Sequence, residues 1–187
     1  MEAFLASIAT VSAAEMGDRT QLLSLMLAAR YRKPWPILAG VLLATSANHA
    51  LAGAIGVWFG GFLTARVLDA VVGASMLAMA LWTLRPDRLE GGRALGGRSA
   101  FLATLIAFFV AEIGDKTQVA TVALAAGYSS LMAVVAGTTA GMLAANVPVV
   151  FMGKAFADRL PLRVIHLGAA ALFAVLGAIF IARALVR

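Results

Sequence analysis

The sequence predicts an all-α integral membrane protein, six transmembrane helices arranged as two inverted three-helix repeats, and three observations carry that expectation. Hydrophobic residues make up 62% of the 187 and charged residues only 13%, about half the roughly 25% charge of a soluble domain. The mean hydropathy of +0.94 says that the apolar residues fill long stretches instead of alternating with solvated ones. One polar block recurs without gaps at an offset of 97 residues.

An α-helix needs about 20 apolar residues to cross roughly 30 Å of hydrocarbon. Runs of that length place spans near 3–29, 35–62, 65–84, 99–126, 131–152 and 163–183. The first has the length of a signal peptide but carries Glu2 where a basic region would stand, so it is expected to stay as a helix. Arg32-Lys33-Pro34 closes it. The stretch from Arg85-Pro86-Asp87-Arg88 to Gly96-Gly97-Arg98 closes the third, Tyr128-Ser129-Ser130 the fourth and Asp158-Arg159-Leu160-Pro161 the fifth.

Basic residues orient these spans. Arg30, Arg32 and Lys33 fall in the first loop, Arg85, Arg88, Arg93 and Arg98 in the third, and Lys154, Arg159 and Arg163 in the fifth. Only Arg66, Arg183 and Arg187 fall on the other side, so the bias puts the odd-numbered loops in the cytoplasm and both termini outside it. The net charge of +6 is therefore a matter of topology, since nucleic-acid binding needs Lys and Arg clustered on a soluble face. With no Cys and two His, disulfides, thiolate metal sites and cysteine nucleophiles are excluded, and any metal must be met by oxygen.

The segment from Phe4 to Tyr31 aligns on Phe101 to Tyr128 with thirteen identities in twenty-eight positions. Bias toward Ala and Leu does not explain Glu15, Gly17, Asp18, Thr20 and Gln21 recurring together as Glu112, Gly114, Asp115, Thr117 and Gln118. Weaker matches continue at Ala39-Gly40 with Ala136-Gly137, Gly56 with Gly153 and Phe59 with Phe156. The chain thus divides into a first repeat over 1–84, a cytoplasmic linker over 85–98 and a second repeat over 99–187, together one transport domain. Three spans per half is an odd number, so the second half enters the membrane from the opposite side, the design in which transporters place their sites near the midplane.

Four of the nine acidic residues, Glu15, Asp18, Glu112 and Asp115, fall near the centres of expected spans. Each ionised carboxylate there costs about 2.5–3.5 kcal/mol or more, so four of them need a reason. At i and i+3 the Glu and Asp of each motif share a helix face, and Gln21 or Gln118 extends it, so Glu15, Asp18, Gln21, Glu112, Asp115 and Gln118 are the candidate metal ligands. The plain structural reading is an ion pair within each motif, Glu15 with Arg19 and Glu112 with Lys116 at i+4. One base does not neutralise two carboxylates, however, and the two motifs together keep a charge of −2, which one divalent cation matches. Carboxylate, amide and hydroxyl oxygens suit Mg, Ca or Mn, and competition between cation and proton for the same carboxylates supplies a coupling mechanism.

Thr20 and Thr117, at i+5 from the Glu, point away from it on a regular helix. Either they pack against backbone, or the helices are distorted at Gly17 and Gly114, freeing carbonyls for the site. The second span of each half adds Thr45, Ser46, Asn48 and His49 in one and Thr138, Thr139 and Asn146 in the other. Asn48 and Asn146 either complete the cation's surroundings or bond between helices. With Arg19, Thr20, Lys116 and Thr117 they are the candidates for gating or support of the site. His49 could relay protons, but register pairs it with Asn146, which favours a structural histidine; His166 reads as interfacial. Met26 and Met142 read as packing.

The two copies of Glu-x-Gly-Asp-[Arg/Lys]-Thr, Glu15 to Thr20 and Glu112 to Thr117, resemble the paired motif of a family of small cation/proton antiporters. That family includes the eukaryotic Golgi manganese and calcium transporters and bacterial manganese exporters, within the calcium/cation antiporter superfamily. The resemblance covers essentially the whole chain and both copies match at every defined position. It implies that Glu15, Asp18, Glu112 and Asp115 bind the cation, that protons are the counter-ion, and that no cofactor is permanently bound, Mn2+ or Ca2+ being substrate. The short chain resembles the compact bacterial members, which implies the inner membrane as location and manganese efflux driven by proton entry. The expected partners are the lipid bilayer and the cation, not nucleic acid, and a homo-oligomer is compatible with such a fold.

Four rivals stand beside this reading. A Ca2+/H+ antiporter would use the same oxygens, and an amino-acid type exporter of small solutes would ignore manganese. An intramembrane aspartyl protease shares the Gly-Asp of its motif, but Glu precedes it in both copies here. No enzyme is therefore expected, and a purely structural membrane protein remains the last rival.

Overall fold

The computed structural model describes residues 1–84, 99–152 and 162–187, the last segment without the side chains of 162, 163, 165 and 166. The expected linker at 85–98 with its four arginines, Lys154 and Arg159 of the fifth loop, and the side chains of Arg163 and His166 lie outside the described residues.

Eight helices are formed among the described residues: α1 (Glu2–Glu15), α2 (Arg19–Tyr31), α3 (Pro34–Gly60), α4 (Ala65–Thr83), α5 (Ala100–Glu112), α6 (Lys116–Gly127), α7 (Leu131–Met152) and α8 (Leu162–Val186). Four are long and apolar enough to cross a membrane: α3, α4, α7 and residues Leu167–Val186 of α8. The continuous spans expected at 3–29 and 99–126 are corrected. Each is two half-length helices, α1 with α2 and α5 with α6, parted at Met16-Gly17-Asp18 and Ile113-Gly114-Asp115. Gly17 at φ 81° and Gly114 at φ 74° make the breaks, a backbone region open to Gly and costly to other residues. The sequence left both a regular and a distorted helix open at these glycines, and the structure adopts the distorted one.

Local chemistry sets the other ends. Arg32 in the left-handed region (φ 52°) returns its N–H to the Ala28 carbonyl and stops α2, and Pro34 opens α3 where its missing N–H costs nothing. The hydroxyls of Thr64 and Ser99 accept from the backbone N–H groups of Val67 and Leu102 and start α4 and α5.

The two halves interlock. α1 and α2 of the first half pack on α7 of the second, while α5 and α6 of the second pack on α3 of the first. The close approaches repeat at register. A Cβ on Gly40 would lie 2.8 Å from both the Phe101 carbonyl oxygen and Thr104 Cβ. One on Gly137 would lie 2.6 Å from the Phe4 carbonyl oxygen and 2.8 Å from Ser7 Cβ. Gly40 and Gly137, Phe4 and Phe101, and Ser7 and Thr104 are all 97 residues apart, so one contact occurs twice with the halves exchanged. α4 and α8 cross where Gly73 and Gly177 face each other, a Cβ on either meeting the other's carbonyl oxygen at 2.9 Å. Small residues at crossings are how helices associate where burial from water gives no drive.

The outer surface is apolar. On α3, Trp35 at one end packs edge-on to Phe151 at 5.5 Å, and Trp58 at the other packs on Phe62 at 5.0 Å, all four exposed. These aromatic groups lie roughly 35 Å apart along the helix at 1.5 Å per residue, the spacing of the two bilayer interfaces that such rings favour.

Candidate functional site

Where the breaks meet, the polar motif is gathered and shut away. Glu15, Asp18 and Glu112 have no exposure, and Asp115 has 3%. Each Glu closes the first half-helix, and each Asp stands at the N-cap of the second. The N-termini of α2 and α6 therefore direct their positive dipole ends at these carboxylates. The Asp115 carboxylate accepts from the Thr117 N–H at 3.5 Å, and Asp18 and Asp115 donate their own N–H groups to the carbonyls of Glu15 and Glu112, each at 3.1 Å.

The break changes which side chains meet. The Thr20 hydroxyl donates to the Glu15 carboxylate, and the Thr117 hydroxyl donates to Glu112 Oε2 at 3.0 Å. Neither threonine packs passively against backbone. At i+5 on an unbroken helix these contacts would be out of reach, and the glycine turn brings them together.

The ion pairs are also redirected. Within a motif the expected partners were Glu15 with Arg19 and Glu112 with Lys116; the structure crosses them between halves and onto the aspartates. Arg19 donates to Asp115 Oδ1 at 2.8 Å and to the Ala111 carbonyl at 2.8 Å, and Lys116 donates to Asp18 Oδ1. The basic side chain points along its new half-helix, across to the other half, so the i+4 spacing of a single helix no longer applies. The two pairs differ in depth: the Lys116 side chain is 3% exposed, that of Arg19 37%.

Glu15, Glu112 and Asp115 each offer a carboxylate oxygen within 4.8 Å of the other two, a grouping able to hold a metal ion. Glu15 Oε1 and Glu112 Oε1 have no hydrogen-bond partner among the described residues, which leaves lone pairs for a cation. Asp18, beside them, is engaged by Lys116. Gln21 and Gln118 take up their carboxamide oxygens in the breaks, accepting from the N–H groups of Gly17 at 2.9 Å and Gly114 at 2.7 Å.

On the long helices, Asn48 donates to the Phe109 carbonyl at 3.1 Å. Asn146 accepts from the Ser24 hydroxyl at 2.6 Å and donates to Met142 through the carbonyl at 3.0 Å and the thioether sulfur at 3.1 Å. Both asparagines thus bond between elements. Met142 is fully buried in packing, whereas Met26 is half exposed. Ser24 is a residue the sequence reading passed over; its register with Thr121 and its i+3 spacing from Gln21 were the signals. Asp69 was passed over too. Buried on α4, it meets Arg187 at 3.0 Å and Arg183 at 3.7 Å and ties α4 to α8.

The chain matches the family described as "Divalent cation/proton antiporter GDT1" over residues 3–91 and 100–186, both motifs included. It is 53% identical over 174 residues to a Vibrio cholerae protein named "Putative manganese exporter", covering 92% of this chain and 87% of that one. A GDT1-like protein of Synechocystis is 30% identical over 195 residues, 92% of this chain and 93% of that one. A GDT1-like protein of rice is 28% identical over 171 residues, with 75% and 59% covered. No solved structure matches the chain.

Proposed function

The chain belongs to the GDT1 family of divalent cation/proton antiporters, and on that premise we propose that it exports manganese in exchange for protons entering the cell. The observation that carries the site is the buried triad of Glu15, Glu112 and Asp115, with oxygens within 4.8 Å of one another. Oxygens on opposite sides of a hard divalent ion, each at about 2.0–2.6 Å, lie roughly 4–5 Å apart, so the triad needs little contraction to close on one. The free Oε1 atoms of Glu15 and Glu112 supply two ligands, Asp115 a third, and Asp18 adds its charge beside them. Thr20 and Thr117 orient the glutamates, and Gln21 and Gln118 hold the breaks open to the site.

Six spans in two inverted halves support access from either side, with α1–α2 and α5–α6 each serving as one interrupted span. The exchanged contacts of Gly40 and Gly137 favour that reading. The bias of Lys and Arg puts the termini outside and the 85–98 linker inside, in the inner membrane of a bacterial cell. Protons bound in place of the cation neutralise the same carboxylates, so an inward proton gradient drives the cation outward. The relative named for manganese export favours that ion over calcium.

The test is flux in sealed proteoliposomes of purified protein, with one dye for manganese or calcium and another for lumenal pH. Native protein is expected to couple manganese entry to proton exit, and Glu15→Gln with Glu112→Gln to abolish both while unfolding at an unchanged temperature. Equal flux in the double variant would remove the carboxylates from the site. Faster calcium than manganese would reassign the substrate.

A further inference from the structure

The two halves do not make the same hydrogen bonds, and the difference isolates one histidine. α2 meets α7 through polar contacts: Gln21 donates to the Ala145 carbonyl at 2.9 Å, and Ser24 to Asn146 Oδ1 at 2.6 Å. At register, 97 residues on or back, the corresponding groups are Gln118, the Asn48 carbonyl, Thr121 and His49. None of these bonds forms among the described residues. Thr121 donates to its own helix, to the Thr117 carbonyl at 2.7 Å. His49 is fully buried, yet neither Nδ1 nor Nε2 has a partner among the described residues, and the hydroxyl of Thr45 is likewise without one. A structural histidine in a core is hydrogen-bonded, because leaving such a group unmade is costly.

Packing is unequal in the opposite sense. α6 buries seven residues from Lys116 to Ala125 against its neighbours, while α2 buries four. At Gly56, α3 and α6 come so close that a Cβ would lie 2.2 Å from the Val122 carbonyl oxygen. One half-helix is thus pressed in through small apolar residues, and its counterpart is held more loosely through hydrogen bonds.

We propose that His49 is the waiting half of a latch whose made half is Ser24–Asn146, and that it engages when the halves exchange these arrangements. Asn146 uses one acceptor, for the Ser24 hydroxyl, and one donor, to Met142 four residues back. A neutral imidazole also offers one acceptor and one donor. As α6 moves off α3, Thr121 turns its hydroxyl to His49, and the imidazole N–H passes to Thr45, four residues back and in register with Met142. His49 is then a positioning residue: it is unsatisfied in the state described here and satisfied in the one that opens on the side of Tyr128. The proposal rests on the antiport reading for its purpose but not for its detection.

A chain without cysteine permits a clean reporter. Ala123→Cys, buried on α6, is labelled in vesicles by a membrane-impermeant maleimide applied from the side of Tyr128, during exchange driven by manganese chloride and a pH difference. His49→Leu is expected to slow labelling and turnover about five-fold, the effect of losing one hydrogen bond in one state. The same variant should raise the unfolding temperature, because it removes an unsatisfied buried group from the other state. His49→Asn, the residue found at register, should restore labelling and turnover to within about two-fold of the His49 parent, leaving less than half of that hydrogen-bond effect. A lowered unfolding temperature in His49→Leu, native labelling and turnover in that variant, no rescue by Asn, or no labelling of the parent would each overturn the latch. If labelling depends on His49 but neither manganese nor calcium moves, the latch stands and the ion assignment fails.

Discussion

The Arg19 guanidinium lies 2.8 Å from the Asp115 carboxylate, so the base that follows Asp18 in the chain serves the aspartate of the other half. Lys116 returns the arrangement by holding Asp18, so each aspartate is paired with the base of the other half. Removing Lys116, whose pair is buried, should cost about 3–5 kcal/mol. Removing Arg19, about one third exposed, should cost roughly 1 kcal/mol or less. Thermal unfolding of Lys116→Gln and Arg19→Gln in detergent checks the order. Adding Asp18→Asn to Lys116→Gln should recover part of the loss, because it removes the stranded charge.

Thr117→Val keeps the volume of the side chain and deletes the hydroxyl that fixes Glu112 Oε2 at 3.0 Å. Cation affinity is expected to fall roughly ten-fold, the loss of one hydrogen bond to a charged group, while Thr117→Ser keeps it. Concentration dependence of manganese flux separates the two, and Thr117→Val should also lower stability by about 1–3 kcal/mol, because it strands a buried carboxylate oxygen, whereas Thr117→Ser should not.

Gly114 and Gly56 test two different demands on glycine. A Cβ at Gly114 would meet nothing within 4 Å, but φ of 74° remains, so Gly114→Ala should destabilise by about 1 kcal/mol through backbone alone. Gly114→Asn should be milder, since Asn tolerates that region. Gly56→Ala meets the Val122 carbonyl at 2.2 Å and must push α3 from α6, so it should be the most damaging of the three in a denaturant titration.

Asp69 receives Arg187 and Arg183, and Arg183 also lies over the Phe180 ring at 5.0 Å. Phe180 in turn packs edge-on to Tyr128 at 5.9 Å, beyond the end of α6. Asp69→Asn should lower stability by about 1–3 kcal/mol, because a buried charge paired with two cations is lost while both cations remain. Adding 1 M salt should shrink the difference, since both arginines are partly exposed. Unfolding at two ionic strengths is the check.

Long apolar runs made α3, α4, α7 and α8 legible, because length and hydropathy alone decide whether a helix matches hydrocarbon. The breaks were legible only as alternatives: a lone Gly costs about 1 kcal/mol inside a helix, which the flanking apolar residues of α1 and α5 could have absorbed. The crossed pairs of Arg19 and Lys116 were hidden by their i+4 spacing, which offers a local partner of the right sign. Asp69 was hidden for a related reason. A single acid near the end of a span reads as solvated until the far end of the chain is known to lie against it.

With all four carboxylates ionised, the two bases leave the cluster a formal excess of two negative charges, and that excess has an electrical consequence for the proposed exchange. One divalent cation brings the sum to zero, and so do two protons. On the proposed antiport, exchange of one cation for two protons would carry no net current, so the membrane voltage, worth about 2.3 kcal/mol per charge at 100 mV, would neither drive nor oppose it. Clamping proteoliposomes with potassium and valinomycin at zero or at −100 mV should leave the manganese rate unaltered, while collapsing the pH difference stops it.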